Sequence, residues 1–184
     1  MKKIILIAAA ALLSLSASAQ KFAHVNFNEL VMLMPAADSA RAQIAASQQE
    51  AQDTYKSMTD EFQVKYQQYQ QKSSTWTPAI RESKEKELQD IQTRIQDFDQ
   101  SIQQELQQQQ QQLMAPIQQR AVAAVEKLAK EGGYIYVFEK ASMLYIDANQ
   151  SVDLTPAARK ALNIPDGRTL ETLQQELQAQ AQQQ

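Results

Sequence analysis

The sequence predicts a mainly α protein with a small β part: a long antiparallel helical coiled-coil hairpin projecting from a small oligomeric body. Three observations predict it. Between Ala36 and Met114 almost nothing interrupts a helix except the island Ser73-Ser74-Thr75-Trp76-Thr77-Pro78. Leu88, Ile91, Ile95, Phe98 and Ile102 follow one another in steps of 3, 4, 3 and 4, which draws one narrow apolar seam along a helix. The 184 residues also include only three glycines, Gly132, Gly133 and Gly167. That is too few for the many tight turns of a β-sandwich or an α/β enzyme.

The chain opens on Met1-Lys2-Lys3, an apolar run from Ile4 to Leu13, and the small residues Ala17-Ser18-Ala19. The run is too short to span a bilayer comfortably. This is the pattern of a secretory signal peptide over residues 1–19, cut after Ala19. An uncleaved anchor fits less well. No cysteine follows the run, so a lipoprotein anchor is not expected, and no later stretch is apolar enough to cross a membrane. The mature chain is therefore expected to be soluble and exported.

Lys21 to Phe27 reads as a strand, with Ala23, Val25 and Phe27 on one face and Phe22, His24 and Asn26 on the other. Asn28 then caps a short helix, Glu29 to Met34, which Pro35 ends. The first arm runs from Ala36. It is alanine-rich at its start, and Ile44, Ala51, Tyr55, Met58, Phe62, Tyr66 and Tyr69 are its apolar residues. Residues 73–78 form the tip. The second arm returns through Ile80, Leu88 and the seam above to Leu106 and Leu113, past the run Gln107 to Gln112. Each arm, at about 1.5 Å per residue, spans roughly 55 Å. Pro116 is expected to kink or end the returning helix, so the hairpin is assigned to 36–115.

The body is assigned to 20–35 and 116–165. Ile117, Ala121, Ala124, Val125 and Leu128 mark an amphipathic helix, and Gly132-Gly133 is a natural stop. Tyr134 to Phe138 reads as a strand, Lys140-Ala141-Ser142 as a tight link, and Met143 to Ile146 as a further strand. Thr155-Pro156 looks like an N-cap with proline at the first helical position. Residues 166–184 are a glutamine-rich tail, a weak helix or a disordered one. Three short strands with open edges bury little apolar area alone. Self-association is therefore expected, with Val25, Phe27, Ile135, Val137, Leu144 and Ile146 as the candidate strand residues.

The chemistry that can be excluded is broad. There are no cysteines and one histidine, His24, so thiol chemistry and a histidine metal cluster are absent. No nucleophile, base and acid are expected to assemble, and no glycine-rich phosphate loop is present. The expectation is no enzyme, no catalytic residue, no metal and no cofactor. The chain has 18 Lys+Arg against 21 Asp+Glu. Removal of Lys2 and Lys3 with the signal peptide leaves 16 against 21, a net charge of −5. Nucleic acid is not an expected partner for such a chain. One local exception is the tip, where Lys65, Lys72 and Arg81 are the only charges between Glu61 and Glu82. Glu82, Glu85 and Glu87 read as a solvated face.

The order strand, helical hairpin, proline-marked helix, Gly-Gly, two strands and Thr-Pro helix is similar to the Skp (OmpH-like) family of periplasmic chaperones. The residues that carry the likeness are Phe22 to Phe27, Ala129 to Tyr134 running into Val137-Phe138-Glu139-Lys140, Leu144-Tyr145-Ile146-Asp147, and Asp153-Leu154-Thr155. It extends to about Ile164. The resemblance implies a homotrimer with a β-barrel-like body and helical arms around a cavity. It also implies an ATP-independent holdase for unfolded outer-membrane proteins. Met58, Phe62, Tyr66, Tyr69, Trp76 and Ile80 are then the candidates for client contact. Known members are strongly basic and this chain is acidic, which argues against attraction to anionic membrane lipid or lipopolysaccharide. The alternative reading is a structural or tethering coiled coil of the envelope.

Overall fold

The computed structural model describes residues 20–182, so the expected signal peptide, residues 1–19, lies outside the described residues. The described chain falls into two compact units. One is Pro35–Ile117; the other joins the N-terminal segment through Met34 to the chain from Gln118 onward.

The second of these units is built on β1 (Lys21–Val25). The strand ends where Asn26 turns the chain. The Asn26 side chain accepts from the Glu29 N–H and caps α1 (Phe27–Leu33), satisfying one of the donors a helix start leaves open. Phe27 is therefore the first residue of a helix and not the end of a strand, and the cap is Asn26 rather than Asn28. Leu30 and Leu33 of α1 and the following Met34 are fully buried.

The sheet is completed by β2 (Tyr134–Glu139) and β3 (Ser151–Asp153) in the order β2-β1-β3, with both pairs parallel. This overturns the expected strand at Met143 to Ile146. A strand joined to β2 by a three-residue link could only pair antiparallel beside it. The actual partner of β1 lies on its other side and runs the same way, so residues 140–150 must cross over and travel back before pairing begins. Leu144 and Ile146 belong to that crossover. It tightens at Asp147, whose side chain accepts from the Asn149 N–H at 2.9 Å and whose carbonyl accepts from the Ser151 N–H at 2.9 Å.

α4 (Thr155–Ala161) follows β3, and α1 packs against it and against α5 (Leu170–Ala181). Thr155 was expected to cap its own helix. Its hydroxyl instead accepts from the Asn26 N–H at 2.9 Å, while Asp153 accepts from the Thr155 N–H at 2.8 Å. α5 starts with a reciprocal Thr169/Thr172 capping box and buries Leu173. Of the two expectations for residues 166–184, the helix holds over Leu170–Ala181, and its Leu173 joins Leu154, Ala158, Leu162 and Ile164 in the core.

The unit Pro35–Ile117 holds α2 (Pro35–Lys72, 38 residues), a 3-10 turn at Ser73–Thr75, and the start of α3 (Pro78–Gly132, 55 residues). Pro35 and Pro78 each stand at the first position of a helix, where a missing N–H costs nothing. Pro116 does not end α3 as expected. It withholds one N–H, and the helix continues past it to Gly132. Gly133 then takes a φ of +67° and its N–H bonds to Lys130 O. Gly133→Ala should cost about 1 kcal/mol, since side-chain-bearing residues resist that region; a urea titration measures it.

Candidate functional site

The two arms are tied together by side chains whose positions establish the register. Ser47 meets Gln109, Glu61 meets Arg94, Lys65 meets Glu87 and Tyr69 meets Glu85. One number falls as the other rises, which is antiparallel pairing. The seam lies inside: Ile91 is buried, while Met58, Phe62, Leu88, Ile95, Phe98, Ile102 and Leu106 are half-buried.

At the far end the turn is clamped by aromatics. The Tyr69 and Trp76 rings meet edge to face with centroids 5.9 Å apart, and the Tyr69 hydroxyl donates to Glu85 at 2.5 Å. That bond, with burial and the charge of Glu85 behind it, raises the Tyr69 pKa. Arg81 Nε donates to Ser73 O at 3.2 Å, closing the turn from the other arm.

The candidates for contact therefore divide. Met58, Phe62, Tyr69 and Trp76 are half-buried in the seam or the turn, whereas Tyr66 and Ile80 are 45% and 46% exposed. Tyr66 stacks on Phe62 at 5.9 Å and 9°. Tyr55 and Val64 add further exposed apolar surface on α2.

The basic zone at the tip is corrected by the pairing. Lys65 is bonded to Glu87, which also accepts from Lys84 at 2.8 Å. The two lysines hold the Glu87 carboxyl down to about 2, and the hydrogen bond to Glu87 raises Lys65. Glu87 is thus no solvated carboxylate, and Lys65 is no free cation; Lys72 and Arg81 remain. Because the folded pKa lies below the usual 4.5, the pair's contribution is complete above that value and is lost as pH falls toward about 2. The thermal midpoint by circular dichroism should drop across that acid range, and Glu87→Gln should remove part of the drop.

In the sheet, register places Phe22, His24, Tyr136, Phe138, Ser151 and Asp153 on one face. Phe22 stacks on Tyr136 at 6.4 Å and 7°. Tyr136 is 60% exposed, and Leu144 and Tyr145 in the crossover are more exposed still. Of the six residues expected in self-associating strands, Val25 is buried, Ile135 exposed and Val137 half-buried in strands; Phe27, Leu144 and Ile146 are not in strands. A parallel sheet ordinarily has both faces covered; here the crossover covers the aromatic face only in part, Met143, Tyr145 and Ile146 lying beside Phe22, His24 and Phe138 while Tyr136 stays exposed.

His24 is buried on this face. Its Nδ1 lies 2.8 Å from Ser151 Oγ and its Nε2 3.6 Å from Asp153. Burial opposes charge on Asp153, but the Thr155 hydrogen bonds, with His24 and Lys140 nearby, outweigh it and lower the pKa. Sequence reading missed this grouping. The signal was present as Ser151 and Asp153 two apart, but it becomes visible only once β3 is known to pair with β1. The carboxylate is already shared with Thr155 and Lys140, and the set fastens β3 to β1.

A family model described as "Outer membrane protein (OmpH-like)" matches residues 21–162. Among solved structures, the chain is similar to one from Caulobacter crescentus CB15, provisionally named an outer membrane chaperone (OmpH-like). The TM-score is 0.70 at 13% identity, covering 80% of this chain and 86% of that one. At that identity the likeness is one of fold. A search of the curated proteins returns no match.

Proposed function

This chain belongs to the OmpH-like outer membrane protein family, and from that premise we propose that it is an ATP-independent periplasmic holdase. Its clients are unfolded outer-membrane proteins, held between helical arms of a homo-oligomer, a trimer in this reading. The family match carries the proposal. Two features of the molecule support it. The hairpin is a thin helical pair that leaves Tyr55, Val64, Tyr66 and Ile80 exposed, and the sheet and its crossover leave Tyr136, Leu144 and Tyr145 exposed, suited to contact between copies.

Holding of this kind needs no reaction. An unfolded strand meets several weak apolar contacts, and copies of the hairpin brought together by self-association multiply them without a shaped pocket. Tyr66 and Ile80 are the best placed to touch a client directly. Met58, Phe62, Tyr69 and Trp76 set the shape of the surface that presents them. Secretion through the signal peptide would deliver the protein to the compartment its clients cross.

The test is an aggregation assay. A denatured outer-membrane barrel diluted into buffer should remain soluble with a stoichiometric amount of this protein and no nucleotide, and light scattering should give a mass above one chain. Equal aggregation with and without the protein overturns the reading. Stable binding to one folded partner, with indifference to unfolded chains, would favour a tethering coiled coil instead.

A further inference from the structure

The seam of the hairpin loosens at one place. Ala51 and Thr54 of α2 set small side chains against Phe98, Ile102 and Leu106 of α3, and a hollow of 420 Å³ opens there. Beside it Gln109 donates to Ser47 Oγ at 2.9 Å and keeps the arms together. Glu50 and Glu105 complete the lining. Both are exposed, and neither has a hydrogen bond or ion pair among the described residues.

That last point sets this stretch apart from the rest of the hairpin. Toward the tip, the carboxylates that face the other arm are answered: Glu61 by Arg94, Glu87 by Lys65. Around the hollow there is nothing to answer with. From Ala42 to Tyr55 and from Ile95 to Gln119 the charged residues are Glu50, Asp53, Asp97, Asp99 and Glu105, and no lysine or arginine occurs in either span. An apolar floor thus sits in a field of one sign, partly sheltered from water, where an opposite charge is attracted and a like charge is excluded.

We propose that this hollow binds an apolar side chain of an extended polypeptide that is flanked by lysine or arginine. The charge pattern selects that occupant. A second copy of the same hairpin would bring the same carboxylates against these, so it is disfavoured. An aliphatic or aromatic side chain fills the space left by Ala51 and Thr54, while its basic neighbours reach Glu50 and Glu105. This rests on the holdase reading and adds to it the chemistry of the segments preferred.

The test uses the full chain and two fluorescein-labelled peptides of leucine, serine and glycine, one with lysines between the leucines and one with glutamates. Fluorescence anisotropy should show the lysine peptide bound about fivefold or more tightly at low salt, with the preference fading as salt rises. The double substitution Glu50→Gln/Glu105→Gln removes charge without changing volume and should abolish the preference. A benzophenone on a cysteine placed at Ser47 should cross-link the lysine peptide. Equal binding of the two peptides, binding of neither, or a preference that survives the double substitution overturns the proposal. So does a fall in mass by light scattering in that variant, which would make the hollow a contact between copies. The barrel aggregation assay reads the holdase function separately, so either conclusion can fail alone.

Discussion

Leu30→Ala should lower the stability of the sheet-bearing unit by about 2–5 kcal/mol, the cost of a large cavity in a packed site. Leu30 is 0% exposed and sits on α1, which packs against both α4 and α5. Neither neighbouring helix can collapse into the gap without giving up its own contacts to α1. Leu33 and Met34 are equally enclosed, so the loss is not shared with solvent-facing groups. Urea denaturation followed by circular dichroism measures the change. Val64→Ala, at a position 55% exposed, should stay within about 0.5 kcal/mol of the parent.

Arg159→Met should cost about 3 kcal/mol, because one side chain closes three acceptors. The Arg159 guanidinium donates to Glu29 at 2.5 Å, to Pro165 O at 2.9 Å and to Arg168 O at 2.5 Å. Its side chain is only 15% exposed. Truncation leaves the Glu29 carboxylate partly buried with its partner gone, and frees the loop that leads into α5. Lysine cannot replace the fork, since its single ammonium cannot reach all three oxygens in one plane. The double variant Glu29→Gln/Arg159→Met should recover part of the loss, because it removes the stranded charge as well.

The helical architecture was legible because its signals are local. The steps from Leu88 to Ile102, the island at 73–78 and the Gly132-Gly133 stop are each contained in one short contiguous stretch, the longest about four helical turns. Long-range partners were not. Nothing near Asn26 says that Thr155 will accept its N–H, and nothing near Lys65 says that Glu87 will neutralise it. Both depend on which residues come level when distant segments meet. The sheet was misread for the same reason. Met143 to Ile146 has strand composition, yet Ser151–Asp153 is what the direction of β1 admits. Pro116 does not stop the helix, because one missing hydrogen bond does not end a helix of this length, yet the boundary between the two compact units falls beside it, at Ile117/Gln118. Of the contact candidates, sequence periodicity found the seam, but only the register separated Tyr66 from Tyr69. The hollow beside Glu50 was invisible until Ala51 and Phe98 were placed opposite each other.

β1 has a consequence for how the molecule comes into being. It is synthesised before the helical arms, yet Lys21 pairs with Tyr134 and Phe22 with Ser151, so both of its neighbours emerge only after the whole hairpin. The helical arms meet through a short turn and can zip together early, whereas closing the sheet must wait for a long loop to be spanned. Until β2 and β3 have been made, the first strand is an apolar segment with no mate, and the nascent protein itself resembles the aggregation-prone chains it is proposed to guard.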